Sequence, residues 1–544
     1  MKCTLTLHAP LAQNVKNRPH LSAPMAFLNS YAVRGMSVDR SENLVAKIFF
    51  WILLAVSLGP LLFVAIPAMV DYPNHLARMY ILSSAGTPEA NPFYRTAWAL
   101  YPNLAMDLVI PQIAQLTGVE NATRLFLLLS ELLLVGGTLA IEWVVKGRIQ
   151  LAAAAALMFL YALPFTWGFL NFEFGLGVAL WGIAFGIMVF ERSWISRLSV
   201  NTIFVGVLFA SHFFALGVYG LTLGILELWR AREKKSDLRE TAIRLFTLAI
   251  PALILLAVMK VTGGAIGGGE NDWHFKFKAL WPYIIMNGYS TAVSAATTVL
   301  LIGFLYVAGK RGLLKIQPAG ICLAAGFFLL YLVIPSQLFG TAFVDLRMLV
   351  AAALIVPSFC SLSLPGRQWK LAAMACVVAV TLPNLAVVYK VWLSYRADYA
   401  AMIQSFDKLK KGSRVLVGGS RVGDDPPLDD LTTYPISHAP TLAVHYADAF
   451  VTDLFTSAGK QPIRPRPAFE RLDDGAAGPV PLFILTAIAA GKTSDALPVY
   501  LRSWHRDFDY LYLLGPHVDN PLPGLLEELD VSRRFVLYKI RRVP

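Results

Sequence analysis

Charge is what this sequence has least of. Asp, Glu, Lys and Arg make up 15% of its 544 residues, where a soluble chain carries about a quarter. That shortfall excludes an ordinary water-soluble enzyme. Cysteine is scarce as well: four residues, with Cys322, Cys360 and Cys376 inside apolar runs and Cys3 in the N-terminal tail. They offer neither a disulfide framework nor a C-x-x-C zinc spacing. Nucleotide-binding signatures are missing too. GGAIGGG at 263–269 lacks the Lys-Ser/Thr of a phosphate loop, and RVLVGGSRVGD at 414–424 lacks G-x-G-x-x-G.

What is there instead is apolar sequence, 56% of the chain. Runs of the length that spans a bilayer fall at 47–70, 121–145, 149–167, 169–190, 200–229, 241–262, 291–309, 318–335, 344–364 and 370–393. The expected fold class is a polytopic α-helical membrane protein. The net charge of +12 comes from Lys and Arg gathered in short loops, the pattern of cytoplasmic loops and not of a nucleic-acid surface.

Residues 1–46 form a polar, basic tail, expected to be disordered and cytoplasmic. Lys146 and Arg148, Arg192 and Arg197, Arg230 to Arg239, Lys310 to Lys315, and Arg367 with Lys370 all stay on that same side only if 200–229 enters and returns. As one straight helix it would be about 45 Å long, so two helices meeting at Ser211-His212 are expected. That makes about eleven membrane segments. The outer side then holds the loop 71–120 with an interfacial helix in 102–117, a tight turn near 167–171, and everything after 393. Residues 394–544 read as a small α/β domain with strands at 414–419, 481–488, 509–515 and 534–540 and helical stretches at 396–410 and 522–530.

Ionisable residues at membrane depth are costly and mark candidate sites. On this topology they gather at the outer face: Asp71, His75 and Arg78 in AMVDYPNHLARMY (68–80), Asp107 in 102–117, Glu173 in GFLNFEFGLG, His212 in SHFFAL, and Asp345 and Arg347 in FVDLRML. Glu131 and Glu142 lie deeper. Each has a plainer reading. Asp71 suits the N-cap of a helix with Pro73 in its first turn. Asp71 and His75 are four apart, a spacing that serves a local pair or metal ligation. Asp345 and Arg347 suit the neutralisation of other buried charges, and His212 suits a hydrogen-bonded core position. Their common placement at one face favours a site.

An acidic residue directly after the first span, an interfacial helix, many further spans and an outer C-terminal domain resemble the GT-C superfamily of polytopic glycosyltransferases. Protein O-mannosyltransferases and lipid A aminoarabinose transferases are of this type. DYPNHLAR, NFEFGLG, SHFFAL and VDLR carry the resemblance. It implies a polyprenyl-phosphate-linked sugar donor held in membrane lipid, and an acceptor of unknown kind (glycan, lipid or protein) on the outer face of a bacterial inner membrane. It also implies Asp71 as the base, Arg347 and then Arg78 as cations for the leaving phosphate, and His75, Asp107, Glu173, His212 and Asp345 as substrate or ion contacts. Asp71 is followed by Tyr72, so a paired acidic group for a divalent metal ion would have to be Asp107 or Glu89. The rival reading is a transporter or flippase of a lipid-linked or anionic substrate, which would line both leaflets with charge. An outer-face O-antigen ligase, an acyltransferase centred on His212, and a non-catalytic assembly or sensory protein are further alternatives.

Overall fold

The computed structural model describes residues 40–263, 271–420 and 435–542, apart from 474, 476, 477, 493 and 517. The basic tail through position 39, the GGAIGGG stretch from 264, Glu270, and the RVGD of 421–424 lie outside the described residues.

Helix α1 (Arg40–Phe63) leads into α2 (Tyr72–Ser84), a short strand β1 (Tyr94–Thr96) and α3 (Ala105–Thr117). The main bundle follows: α4 (Val119–Lys146), α5 (Leu151–Met158), α6 (Leu163–Trp167), α7 (Leu170–Met188), α8 (Trp194–Ser211), α9 (Phe213–Lys234) and α10 (Leu238–Val261). It is completed by α11 (Thr291–Lys310), β2 (Leu314–Ile316), α12 (Pro318–Val333), α13 (Val344–Ile355), β3 (Cys360–Leu362) and α14 (Gly366–Ser405). Among the described residues, eight helices (α1, α4, α7, α8, α9, α10, α11 and α14) are long and apolar enough to cross a membrane by length and composition. Phe63 is 77% exposed and Val261 87%, which lipid tails tolerate and water does not. The chain is an integral membrane protein.

The 200–229 run divides where expected. Helix α8 ends at Ser211, His212 is extended at φ −164° and ψ 126°, and α9 begins at Phe213. Two other runs depart from one helix each. The stretch 149–167 is broken into α5 and α6, with Pro164 in the first turn of α6, because proline cannot continue a helix inward from that point. The run 344–364 stops being α-helical at Ile355. A 3-10 turn containing Pro357 follows, then β3, which pairs antiparallel with β2.

Helix α14 is 40 residues long and carries through the expected boundary at 393/394 into the C-terminal part. There β4 (Arg414–Gly419), β5 (Phe450–Val451), β7 (Val480–Pro481), β8 (Tyr510–Leu514), β9 (Leu526–Val531) and β10 (Phe535–Ile540) build one six-stranded sheet, while β6 (Ile463–Pro465) pairs elsewhere. Strand β4 is parallel to β5, β7 and β8, whereas β8–β10–β9 are antiparallel. The 414–419, 509–515 and 534–540 strands are where the sequence puts them. The 481–488 stretch is not a strand: α15 (Leu482–Ala489) takes it, since a short apolar run without alternation fits either state. Conversely LEELDV at 526–531, which overlaps the expected helical stretch 522–530, is β9. Cross-strand pairing with β10 overrides its helical propensity.

The C-terminal part packs directly on the first loop. Tyr72, Leu76 and Met79 of α2 share one apolar core with Trp392 of α14 and Leu442, Val444 and Leu454. Strand β1 pairs antiparallel with β6, Tyr94 opposite Pro465. The first loop is therefore strapped to residues far along the chain, and that strap positions the site.

Candidate active site

Asp71 precedes α2, but its side chain makes no capping hydrogen bond. Its backbone is engaged instead: the N–H donates to Trp167 O at 3.0 Å, and the carbonyl accepts from His75 N at 2.9 Å. A helix-cap role would have turned the carboxylate onto the first-turn amides, and it is not there. The turn after α6 makes the position. Gly168 sits at φ +105°, and a Cβ there would lie 3.0 Å from both Asp71 Cβ and Asp71 N, so only glycine admits this approach.

The Asp71 carboxylate faces a residue from the C-terminal part. His438 Nε2 lies 3.9 Å from Asp71 Oδ1, and His438 Nδ1 lies 2.7 Å from Asp453 Oδ2. Asp453 stands two residues beyond β5, and its side chain is wholly buried. Asn74 of α2 fixes this loop from both sides, donating to Asp453 O at 2.7 Å and accepting from Phe455 N at 2.8 Å. Burial raises the Asp71 carboxyl to about 7, while His438 and Arg347 pull it the other way. Burial alone would discharge His438, but Asp453 and Asp71 outweigh it and raise the imidazole above its ordinary range.

Arg347 reaches the same region from α13. Nη1 lies 3.1 Å from His212 Nε2, Nη2 donates to Ala342 O at 3.1 Å, and Nε has no hydrogen-bond partner. The guanidinium sits over the rings of Phe169, Phe172 and Phe214 at 4.3, 5.1 and 5.6 Å, an arrangement suited to its planar, weakly hydrated charge. Among the described residues no carboxylate lies within ion-pair distance of it. Phe214 N approaches His212 Nδ1 at 3.2 Å. A neutral imidazole has one acceptor nitrogen, so it serves Phe214 or Arg347 at a time. A Cβ on Gly175 would meet His212 Cβ at 2.9 Å, so α7 lets the His212 turn come close. Glu173, also on α7, is buried with Oε1 unpartnered, as are both carboxylate oxygens of Glu131.

The remaining sequence candidates are committed to partners. Arg78 Nε meets Asp107 Oδ1 at 2.8 Å with Nη2 on Oδ2 at 3.3 Å, both side chains buried. His75 Nε2 contacts Gly168 O at 3.0 Å; burial and the nearby Arg78 hold the ring well below its usual range, that is, neutral. Asp345 accepts from Lys278 Nζ at 3.0 Å and from Ser336 Oγ at 2.7 Å, so it neutralises Lys278 and not Arg347. Among the described residues no group of three or more His, Cys, Asp or Glu is arranged to hold a metal ion.

Asp71, Arg347, His212 and Glu173 thus share one region. His438, Asp453, Asn74 and Lys278 join the region without a signal in the sequence. SHAPTLAVHYADAFVTD at 437–453 lies outside the apolar runs, where a histidine and an aspartate carry no signal of burial.

No family model matches the chain, and no curated protein matches it. Solved structures similar in fold include ArnT from Cupriavidus metallidurans in the apo state, at 14% identity, and the same protein bound to undecaprenyl phosphate, at 12%. Each similarity covers 92% of this chain and 98% of the other, with a TM-score of 0.49.

Proposed function

We propose that the chain is a glycosyltransferase that moves a sugar from a polyprenyl-phosphate-linked donor to an acceptor hydroxyl, with Asp71 as general base. The observation that carries this reading is the Asp71 carboxylate: it is mostly buried, its side chain 14% exposed, and it is unused by its own helix. The acceptor O–H gives its proton to Asp71 as the oxygen attacks the anomeric carbon. The bond from that carbon to the phosphate breaks, and its electron pair leaves with the phosphate. A group raised to about 7 is matched to proton transfer near neutral pH.

Negative charge grows on the departing phosphate, and Arg347 supports its assignment to that charge by holding a guanidinium with no carboxylate counterpart among aromatic rings. Fixed charge in a site shielded from water acts more strongly than in bulk. Glu173 and His212 are proposed to contact the sugar, and the Arg78–Asp107 pair to hold α2 against α3. The proposed orientation has the N-terminus cytoplasmic and the site on the extracytoplasmic face of a bacterial inner membrane. It follows from the basic loops at Lys146–Arg148 and Lys310–Lys315.

The experiment is consumption of a panel of polyprenyl-phosphate sugars by reconstituted protein, wild type beside Asp71→Asn. Donor turnover by wild type and its loss in a folded variant is the expected result. Retained turnover in the variant places the base elsewhere.

A further inference from the structure

The Asp71 side chain is mostly buried, at 14% exposure, and that burial opposes its ionisation. The charges that face it are His438, Arg347, Asp453 and Arg78, with His75 neutral beside them. Arg78 is committed to Asp107, and Asp453 repels the carboxylate. The strongest attraction on Asp71 comes from His438. We infer that His438, held on Asp453, is the positioning residue that keeps the Asp71 carboxylate ionised and so sets the pH range in which the site can take a proton. This rests on the base role proposed for Asp71.

The geometry supports a charge effect and not a hydrogen bond. A separation of 3.9 Å is too long for a hydrogen bond but close for an ion pair. The 2.7 Å contact to the buried Asp453 fixes the imidazole and supplies its counter-charge. The edge of Phe455, 5.1 Å between ring centroids, closes another side. Asn74 grips the backbone at 453 and 455 from α2, three positions after Asp71. The ring and the carboxylate are thereby held by one unit, although 367 residues separate them in the chain. The first loop would then supply the proton acceptor, and the C-terminal part would decide when it is ionised.

The test is the titration of the Asp71 carboxyl in reconstituted protein, followed by infrared difference spectroscopy, with Asp71→Asn identifying the band. His438→Gln is expected to raise the midpoint by on the order of one pH unit. His438→Lys keeps a cation and leaves the midpoint within a few tenths of wild type. Asp453→Asn moves it in the same direction as His438→Gln but less, because it also removes a charge that disfavours the carboxylate. It carries the test should His438→Gln not fold. In the donor assay the acid limb of kcat/KM follows, giving about a tenfold lower rate at pH 6 for His438→Gln.

An unmoved midpoint in His438→Gln overturns the inference. So does an equal shift in His438→Lys, which would assign the effect to packing. A shifting midpoint without donor turnover by wild type sinks the glycosyltransferase reading alone, whereas turnover with an unmoved midpoint sinks the positioning role alone.

Discussion

Both ends of α9 face ionisable side chains, and they treat them differently. At its C-terminal end Glu227 lies 3.8 Å from Arg197 and 3.7 Å from Arg230 and Arg244, Glu191 bridges Arg230 and Lys234 at 2.8 Å each, and Glu240 meets Arg244 at 2.9 Å. Each of these charges has an opposite neighbour, even around a small cavity of about 40 Å³ lined by Arg197, Glu227 and Arg244. At the other end, beyond His212, Arg347 and Glu173 lack such partners among the described residues, and Asp71 has only the longer 3.9 Å approach of His438. Paired charges staple helix ends, whereas charges held apart remain available to a ligand. The cost of keeping them unpaired in a buried place is what makes the second set a candidate site.

The comparison breaks most sharply at Asp71. Asp71→Asn is expected to lower donor turnover by about 10²–10⁴-fold with little change in thermal stability, since the side chain caps nothing. Steady-state kinetics beside a thermal melt checks both halves, and a large drop in Tm would return Asp71 to a structural role. The wild-type kcat/KM should fall as pH drops through about 7, the range to which burial raises Asp71. The sign follows from the base: protonation removes the group that must accept.

Arg347→Met keeps much of the bulk among the aromatic rings and removes the charge. Its expected effect is about a 10²–10³-fold loss in kcat, of the order seen when one donor to a developing anion is deleted. An unchanged kcat would move the phosphate contact to another cation.

Stability effects come next in size. Arg78→Met alone leaves Asp107 buried and unpaired and should cost about 3–5 kcal/mol, whereas Arg78→Met with Asp107→Leu should recover most of it. Denaturation of the single and double variants checks this, and equal losses would show that the two residues do not act as a pair. At the stapled end, Glu227→Gln should cost about 1–3 kcal/mol and leave turnover unchanged. A loss of turnover there would erase the distinction between the two ends.

Much of this was legible in order along the chain. The break at Ser211-His212, the helix in 102–117 and the turn near 168 follow from length, charge and composition. Asp71 and Arg347 stood out because they border apolar runs. The pairing of the other candidates was not legible. Asp107 and Asp345 carry the same local signature as Asp71, yet Arg78 takes one and Lys278 takes the other. The apolar stretch 481–488 and the acidic LEELDV stretch likewise exchanged their expected states, because pairing in the sheet decides a short segment that propensity leaves ambiguous.

By itself the sequence determined that the chain enters a membrane, that 200–229 divides at Ser211-His212, and which charges sit at the ends of its apolar runs. Hydropathy and helix length are local properties, and about twenty residues suffice to set them. Only the tertiary structure decided which of those charges are neutralised, and that His438 and Asp453 come to face Asp71. Ion pairing depends on distances of a few ångströms between residues hundreds of positions apart, and those distances exist only once α2 and the C-terminal sheet share a core.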